Sequence, residues 1–382
     1  MNFKYKFFAC VFNFFRILPF KKKEISFIVD KKSSFNRNLD NIKNEFDRRD
    51  SFSYNYLSKE EYSFNGSLKN RIFGIFSILN FFLVKSYKLS KSKYIFLNDN
   101  FFPLAYMNFD ENTTIVQLWH ASGAFKRFGL DVINDENIKK LLRLAGSKID
   151  YLVISSENVS KIYQHAFEVD ENKILPFETP RIDYYFDENK SNKINKDNIE
   201  IIRTKFEEKY PEIKGKKMVL YAPTFRESEE LNNDISTHFD FNLFNSILGK
   251  EYSLFFRSHP KFDVPKIKGS IDVSNYDNLQ ELLLITDILI TDYSSVMIEY
   301  AVLSKPIIFY PFDLNHYISH ERGFYFDYTN VPGPIAKNTG DIIKFIEEDG
   351  FDLKKIKDFV SKNYDYLDSN SSKRIVDFLL SR

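Results

Sequence analysis

The stretch Ile288–Tyr310, ILITDYSSVMIEYAVLSKPIIFY, contains the pattern that decides the fold. Ile288–Thr291 predicts a strand, Ser295–Leu303 predicts a helix, and Pro306–Tyr310 predicts a second strand. A strand followed by a helix and another strand predicts a parallel βαβ unit, in which helices cover the sheet. The polar turn between the first strand and the helix then lies at the carboxyl end of the sheet, where open α/β sheets bind their ligands.

The polar turn carries groups that suit a phosphate. Ser294 and Ser295 stand where the helix begins, and the free N–H groups and positive dipole end of a helix favour an anion there. Simple N-capping by serine is the alternative interpretation. Asp292 precedes the serines and leaves a weak Mg²⁺ option open. Glu299 follows one turn along the helix, where its carboxylate either accepts hydrogen bonds from a ribose or faces solvent.

The same alternation continues on both sides of this stretch. Short apolar runs predict strands, and amphipathic patterns between them predict helices. An Asn-, Lys- and Asp-rich stretch at Asp187–Asn198 predicts a linker. We therefore expect an α/β protein with two successive βα domains, 1–195 and 196–382, and a cleft between them. The other predicted strands are Glu24–Val29, Tyr94–Leu97, Thr114–Leu118, Tyr151–Ser155, Met218–Tyr221 and Ser253–Phe256, and the other predicted helices are Ser34–Arg48, Ser156–Phe167, Leu279–Leu284 and the helical tail Asp341–Leu380.

Composition narrows the class of protein. A chain of 382 residues is long enough for two domains that each bury a core. The formal net charge of +1 gives no general attraction to nucleic acid, so no nucleic-acid partner is expected. The single cysteine, Cys10, excludes an internal disulfide framework and a cysteine-based zinc cluster, and it fits a reducing compartment. No stretch reaches the roughly 18–20 uninterrupted apolar residues of a membrane span.

The first 23 residues combine aromatic side chains at helical spacing with cations and no acid. Two interpretations are open: a first helix packed on the protein, or an amphipathic helix in an anionic membrane surface. The absence of any acid favours the membrane, and no signal-peptide cleavage site is evident. A second apolar run, Ile72–Val84, is too short to span a membrane and predicts a buried helix. The residues expected at the membrane are Lys4, Lys6, Phe7, Phe8, Phe12, Phe15, Arg16, Lys21, Lys22 and Lys23.

His120 ends a predicted strand of the first domain, directly after Trp119, the only tryptophan. A neutral imidazole at the edge of a cleft suits a general base that activates a hydroxyl, whereas a core histidine beside a buried tryptophan is the alternative. The residues behind it suit an acceptor, because small side chains leave room and two cations hold an anion. These residues are Ala121, Ser122, Gly123, Ala124, Lys126 and Arg127.

Two predicted strands of the second domain also end in cations. Arg257 and His259 flank one residue, so in an extended segment both point to one side and suit a diphosphate. A structural histidine with a surface arginine is the alternative. Thr224 and Arg226 show the same alternation.

Six stretches together resemble the CDP-glycerol glycerophosphotransferase family, the teichoic-acid polyol-phosphate transferases of the bacterial cell envelope. They occur in the family's order from about residue 115 to 335. The stretches are QLWHASGAFKRFG (117–129), TPRID (179–183), LYAPTFRE (220–227), RSHP (257–260), ITDYSSVMIEYAVLSKPIIFYPFDL (290–314) and RGFYFDYTNVPGP (322–334).

The resemblance implies a GT-B fold, with two Rossmann-like domains facing a cleft and the nucleotide held mainly by the C-terminal one. It implies that a polyol phosphate passes from CDP-glycerol or CDP-ribitol to a hydroxyl of a lipid-linked acceptor, with release of CMP. It also implies a cytoplasmic enzyme that is peripheral on the inner face of the plasma membrane. His120 matches the proposed base, and His259 matches a second essential histidine. The expected donor-binding residues are Thr224, Arg226, Arg257, Asp292, Ser294, Ser295 and Glu299, with Arg322 and Gly323 in a loop that closes on the donor.

One departure from the family pattern leaves the product open. Many polymerising members carry Gly-Thr after Trp-His, whereas Ala121-Ser122-Gly123 resembles primase-like members. The RGFYFD and PGP stretches resemble polymerising members. Single or repeated addition, glycerol or ribitol, and teichoic acid or capsule therefore stay open. No cofactor is expected, because arginines and a helix dipole can replace a metal. A GT-B glycosyltransferase that uses a CMP-activated sugar is the alternative enzyme, and a catalytically silent membrane scaffold is the alternative of another class.

Overall fold

The structure is a computed structural model that describes residues 2–18, 23–29, 38–58, 61, 79–187, 190–224, 226, 237–258 and 268–382. The chain forms two compact units. The first contains Met1–Gly123, Phe128–Asp183 and Asp368–Arg382, and the second contains Ala124–Arg127 and Tyr184–Leu367. This division differs from the predicted one at 195/196. The chain enters the second unit earlier, its last segment returns to the first, and a short segment behind His120 belongs to the second.

Each unit contains one parallel sheet, as the alternation of strands and helices predicts. The first sheet has six strands in the order β2-β1-β3-β4-β5-β6, and the second has five in the order β11-β10-β9-β12-β13. The strands are β1 (Glu24–Val29), β2 (Ser53–Ser58), β3 (Tyr94–Leu97), β4 (Thr114–Gln117), β5 (Tyr151–Val153), β6 (Ile174–Leu175), β7 (Phe186–Asp187), β8 (Lys190–Ile194), β9 (Lys217–Ala222), β10 (Tyr252–Phe256), β11 (Ile271–Asp272), β12 (Ile288–Thr291) and β13 (Ile307–Phe309).

Several of the described helices begin where a polar side chain satisfies free backbone N–H groups. Asp135, for example, accepts from the N–H groups of Asn137 and Ile138. The helices are α1 (Asn2–Arg16), α2 (Asn38–Asp47), α3 (Ser86–Leu89), α4 (Glu136–Gly146), α5 (Ser160–Phe167), α6 (Lys196–Lys209), α7 (Phe241–Leu248), α8 (Leu279–Ile285), α9 (Val296–Ala301), α10 (Leu314–His316), α11 (Thr339–Glu347), α12 (Leu353–Asn363) and α13 (Ser371–Leu380).

The first sheet buries both of its faces. Every residue of β1 is buried, and its alternate side chains enter two different apolar clusters. One cluster contains apolar residues of α2 and α13, and the other contains residues of α1 and of the segment before α3. Because both faces are covered, β1, β3, β4 and β5 are largely apolar, and this is why their positions could be predicted. The more polar β2 and the two-residue β6 were not predicted.

Helix α1 packs on the first unit with a face that was expected at the membrane. Phe8 and Phe12 are 2% and 1% exposed, and the Phe8 ring lies 5.0 Å from that of Phe81. The prediction that Phe8 and Phe12 face a membrane is therefore wrong, because they complete the apolar cluster on the sheet. Phe7 is exposed, and Phe15 is half-buried against Tyr87.

The cations of the N-terminal segment have different surroundings. Lys4, Lys6 and Arg16 are exposed. Lys23 is also exposed and pairs with Asp50 at 2.7 Å. Lys21 and Lys22 lie outside the described residues. In the part of the chain that the structure describes, no helix is long and apolar enough to cross a membrane.

The predicted buried helix at 72–84 is only partly described, because 72–78 lie outside the described residues. Asn80–Lys85 forms a π-helical segment in which Phe81 is buried. Leu79, Leu83 and Val84 are each about half exposed. The described end of this run is therefore amphipathic, and the prediction of a buried helix is wrong there.

The predicted linker at Asp187–Asn198 is also wrong. β7 and β8 pair as an antiparallel ribbon, and α6 begins directly after it at Lys196. Asn195 caps this helix by accepting from the N–H of Asn198 at 3.0 Å. The two strands are held together by hydrogen bonds between backbone groups. Because every residue type has these groups, the amino-acid composition of the segment does not reveal the pairing.

The second sheet places β9 and β12 side by side at its centre. Chain order reverses between these two strands, which makes their carboxyl ends the topological switch point of the sheet. Ala222 of β9 is paired with Thr291 of β12. The residues directly after them, including Thr224 and Asp292, therefore meet where α/β proteins of this type bind a nucleotide.

Candidate active site

The turn after β4 holds His120 on a strained backbone. Trp119 has a φ of 60°, in the left-handed region that disfavours bulky residues. Its N–H donates to the Gln117 side chain at 3.0 Å, and its carbonyl accepts from Asn38 Nδ2 at 3.0 Å. Trp119 is buried, whereas His120 is exposed, with the two ring centroids 4.1 Å apart. His120 is therefore a surface histidine and does not belong to the core.

The residues from His120 to Gly123 are held by hydrogen bonds from distant elements. The His120 carbonyl accepts from Arg181 Nη1 at 2.5 Å. The Tyr163 hydroxyl donates to the carbonyls of Ala121 at 3.1 Å and Gly123 at 2.8 Å. Gly123 has a φ of 62°, which a glycine adopts without strain. The turn 119–123, called the histidine turn below, is thus preorganised by side chains outside it.

Ser122 points into the first unit and was predicted to face the acceptor. It is buried, and its hydroxyl forms a 2.7 Å hydrogen bond with Thr179 Oγ1. Thr179 donates its N–H to Glu178 Oε1 at 2.8 Å. Ser122 therefore links the histidine turn to a buried carboxyl group.

Glu178 is the deepest member of this chain of contacts. It has no exposed surface and a φ of 75°, and its Oε2 has no hydrogen-bond partner within the described residues. Burial raises the pKa of Glu178 well above its usual range, and the nearby charge of Asp183 acts in the same direction. Burial therefore favours the protonated form of this carboxyl group.

Thr224 and Asp292 meet at the switch point of the second sheet. Asp292 Oδ1 accepts from the Thr224 N–H at 2.7 Å and from the Tyr293 N–H at 2.5 Å. The Thr224 hydroxyl is buried and has no hydrogen-bond partner within the described residues. An orphaned hydroxyl is rare in a folded protein, and one at a switch point is a group that a bound nucleotide can satisfy.

Arg226 lies inside the second unit, although it was predicted to bind the donor. Its side chain is fully buried, with Nη1 at 2.7 Å from Asp292. Its Nε and Nη2 donate to Asp313 at 2.8 and 2.7 Å, a bidentate pair. The guanidinium carbon also lies 4.9 Å from the Tyr293 ring centre and 5.5 Å from that of Tyr317. In this structure Arg226 holds two acidic side chains in place.

The turn after β12 presents Ser294 and Ser295 as half-buried residues at the start of α9. The Val296 N–H lies 3.3 Å from Ser294 Oγ, a long hydrogen bond. Glu299 is buried, and its Oε1 accepts from Tyr185 at 2.7 Å and from Gln280 at 2.8 Å. The two half-buried serines can still contact a ligand. Glu299 was predicted to contact a ribose, but its Oε1 already accepts the hydrogen bonds from Tyr185 and Gln280.

Arg257 is half-buried after β10. Its Nη1 donates to the carbonyls of Val273 and Tyr276, both at 2.8 Å. These contacts fix the guanidinium beside the loop after β11. The prediction for His259 lies outside the described residues.

Lys126 and Arg127 belong to the second unit, where they lie beside the loop that was expected to close on the donor. Lys126 and Phe324 form an antiparallel bridge, and the Arg127 N–H donates to the Gly323 carbonyl at 3.0 Å. Arg127 and Arg322 are exposed, whereas Lys126 is half-buried. The predicted acceptor-side cations are therefore neighbours of predicted donor-side residues.

The sequence did not identify the residues that hold the histidine turn. Asn38, Tyr163 and Arg181 contact it from 81, 42 and 61 positions away. Of these three residues, only Arg181 lies in a stretch that resembles the family, TPRID. The resemblance assigned no role to this arginine. Single asparagines and tyrosines carry no pattern, so only the fold shows where they converge.

Two parallel α/β sheets, one in each unit, with candidate nucleotide-binding residues at the switch point of the second, are typical of the GT-B fold. The model of one family, described as CDP-glycerol:poly(glycerophosphate) glycerophosphotransferase, matches residues 10–381. The chain belongs to this family. The fold expectation is confirmed by a structure of the wall teichoic acid polymerase TagF, which matches with a TM-score of 0.77 and 25% identity over 100% of this chain and 94% of that chain.

Relatives of known activity include polymerases and primases. A teichoic acid poly(ribitol-phosphate) polymerase of Bacillus spizizenii is 34% identical over 97% of this chain and 58% of its own length. A teichoic acid glycerol-phosphate primase of Bacillus subtilis is 35% identical over 78% of this chain and 76% of its own length. The chain thus spans little more than half of the polymerase and about three quarters of the primase. A TagF variant soaked with CDPG also matches, with a TM-score of 0.74 and 26% identity over 95% of this chain and 89% of that one.

Proposed function

We propose that this protein transfers glycerol phosphate or ribitol phosphate from a CDP-activated donor to a hydroxyl of a lipid-linked cell-envelope acceptor, and releases CMP. The observation that carries the proposal is the histidine turn, in which an exposed histidine stands on a backbone held from several elements. Family membership supplies the substrate class, and the TagF variant soaked with CDPG supports a CDP-activated donor.

His120 acts as the general base in this proposal. It takes the proton of the acceptor hydroxyl while that oxygen attacks the polyol-bearing phosphorus of the donor. A new P–O bond forms, the bond from this phosphorus to the CMP oxygen breaks, and CMP leaves. The backbone contacts of the turn serve orientation, which is a large part of catalysis in phosphoryl transfer.

The second unit binds the donor in this proposal. Ser294, Ser295 and the orphaned Thr224 hydroxyl offer hydrogen bonds at the switch point. Arg257 and His259 are proposed to add positive charge near the diphosphate. Charge that develops on the leaving CMP is stabilised by such fixed donors and cations.

We propose that the transfer needs no metal cofactor. Asp292 is the carboxylate for which Mg²⁺ was considered, and it is committed to two backbone N–H groups and to Arg226. Within the described residues, no group of three His, Cys, Asp or Glu side chains could hold a metal ion. Full activity after dialysis against EDTA is expected, and an activity restored only by Mg²⁺ would contradict this point.

We propose that the protein works at the cytoplasmic face of the plasma membrane, bound through the outer side of α1. Phe3 and Phe14 on this side are 83% and 68% exposed, and Phe7 is 49% exposed. Ile17, directly after the helix, is 81% exposed. The cations Lys4, Lys6 and Arg16 lie on the same helix and are exposed. An apolar helix side flanked by cations suits an anionic lipid surface. The inner side of the helix is already packed on the protein.

Vesicle sedimentation tests the membrane proposal. The double variant Phe7→Ser, Phe14→Ser should lose binding to phosphatidylglycerol-containing vesicles and keep the wild-type melting temperature. Ile201→Ser and Leu353→Ser remove exposed apolar residues of the second unit and serve as controls. Equal binding by the α1 variant and the controls would remove α1 as the membrane contact.

The function itself is tested by CMP release from CDP-glycerol and, in parallel, CDP-ribitol, with a lipid-linked or short polyol-phosphate acceptor. CMP release with one donor is expected. A ladder of products by mass spectrometry identifies a polymerase, and one added unit identifies a primase. No CMP from either donor, together with turnover of a CMP-activated sugar, would replace the proposed function with the alternative glycosyltransferase.

A further inference from the structure

Two segments far apart in sequence form a short antiparallel ribbon in the second unit. Lys126 is bridged to Phe324, and the Tyr325 N–H donates to the Phe125 carbonyl at 2.9 Å. The rings of Phe125 and Phe324 stack with centroids 4.8 Å apart. This ribbon, made of 124–127 and 322–325, fixes Lys126 in a half-buried position beside Arg322.

Lys126 and Arg322, two of the three cations of the ribbon, have no carboxylate partner within the described residues. Among the described residues, neither Lys126 nor Arg322 belongs to an ion pair or a side-chain hydrogen bond. The acids that act on Lys126 are Asp292 and Glu321, and they do so only from longer range. Asp292 is already paired with Arg226. Two neighbouring cations that no described carboxylate neutralises form a site for an anion.

The electrostatic surroundings of Lys126 are unusual for a lysine. Burial, and after it the charge of Arg322, lower the pKa of Lys126 to about 7. Arg226 adds a smaller repulsion, and Asp292 and Glu321 oppose the shift. Tyr317 lies near Arg322, and burial raises its pKa, so it carries no compensating negative charge.

We infer that Lys126 and Arg322 together hold one phosphate group of the nucleotide donor, an inference that rests on the proposed function. Asp292 lies within electrostatic range of Lys126 and directly precedes the turn of Ser294 at the switch point, so the two cations share the surroundings of the donor site. This assigns Lys126 to the donor, whereas the sequence alone assigned it to the acceptor. The negative charge of this phosphate group between the two cations favours the charged form of Lys126.

The test is the binding of CDP at pH 8, followed by titration calorimetry in buffers of different ionisation enthalpy. Lys126 is mostly neutral at that pH, so binding of CDP should take up nearly one proton, and affinity should fall about tenfold per pH unit above 8. Lys126→Arg should keep the affinity and abolish the proton uptake. Lys126→Met should weaken CDP binding about 10- to 100-fold. Lys337→Met, which removes an exposed lysine of the same unit, should behave as wild type.

Proton uptake that disappears in Lys126→Arg supports the inference whatever the outcome of the CMP-release assay. Proton uptake that persists unchanged in Lys126→Arg overturns it, even in an enzyme that releases CMP from its donor. Wild-type affinity in Lys126→Met, or no CDP binding by the wild type, also overturns it.

Discussion

Glu178 is a fully buried carboxyl group that lies beneath the histidine turn. Its pKa is raised by burial, so the folded protein retains the proton above pH 4.5, whereas the unfolded chain releases it. The folded state then binds more protons, and stability falls as pH rises through this range. We predict that Glu178→Gln, which keeps the acceptor for Thr179, raises the melting temperature at pH 8 and that the gain shrinks towards pH 5.

The matched control for this prediction is Glu171→Gln, at an exposed position of the same unit. It should leave the melting temperature unchanged at both pH values. A Glu178→Gln variant that is less stable than wild type at pH 8 would show that the carboxylate is ionised and used in the folded state.

Arg226 holds Asp292 and Asp313 inside the second unit. Removing one partner of a buried ion pair leaves charges without compensation and costs about 3–5 kcal/mol. We predict that Arg226→Met lowers the free energy of unfolding by about this amount, measured by urea denaturation. Wild-type stability combined with lost CDP affinity would instead make Arg226 a direct donor contact.

The sequence identified single residues where a strand ended in a polar side chain. His120, Thr224 and Asp292 were predicted in this way, since a parallel sheet brings strand ends to one edge. It did not distinguish a side chain that faces a ligand from one that serves the fold. Ser122 and Arg226 are examples, because their burial depends on partners such as Thr179 and Asp313 elsewhere in the chain.

At the scale of elements, α5 holds the histidine turn through one hydroxyl group, that of Tyr163. Tyr163→Phe removes the hydroxyl proton that the two carbonyls share and keeps the buried ring. Such a hydrogen bond contributes about 1 kcal/mol, so kcat should fall roughly fivefold through misplacement of His120. Donor affinity should stay at the wild-type value, because the turn and the donor residues belong to different units.

Tyr151→Phe is the control, since it removes a hydroxyl from β5 in the same unit. Unchanged kcat in both variants would show that the turn keeps its geometry without Tyr163. A loss of donor affinity equal to the loss in kcat would contradict a purely positioning role.

Elements were predictable where burial left a pattern. β12 appears at its predicted bounds, Ile288–Thr291, because every residue of the strand is buried and its first three residues are apolar. The antiparallel pair β7 and β8 was predicted as a linker, because backbone hydrogen bonds hold it together and its sequence has no apolar pattern. For α1 the apolar residues were visible, but the sequence could not show that Phe8 and Phe12 pack on Phe81 and Phe109.

At the scale of the whole molecule, the chain connects its two units more than once. The last helix, α13, returns to the first unit, where Asp183 accepts from the N–H groups of Ser371 and Ser372 at 2.9 and 3.0 Å. The segment 124–127 leaves the first unit directly after the histidine turn and packs in the second. The sequence predicted two domains in order, because strand alternation reports the number of sheets and not the path of the chain between them.

The central claim is that His120 removes the acceptor proton while the second unit alone binds the donor. The most direct measurement is CMP release by His120→Ala, with CDP affinity measured on the same preparation. General-base catalysis contributes about 10²–10⁴-fold, so CMP release should slow by that factor while CDP affinity remains at the wild-type value. Wild-type CMP release by His120→Ala would contradict the account.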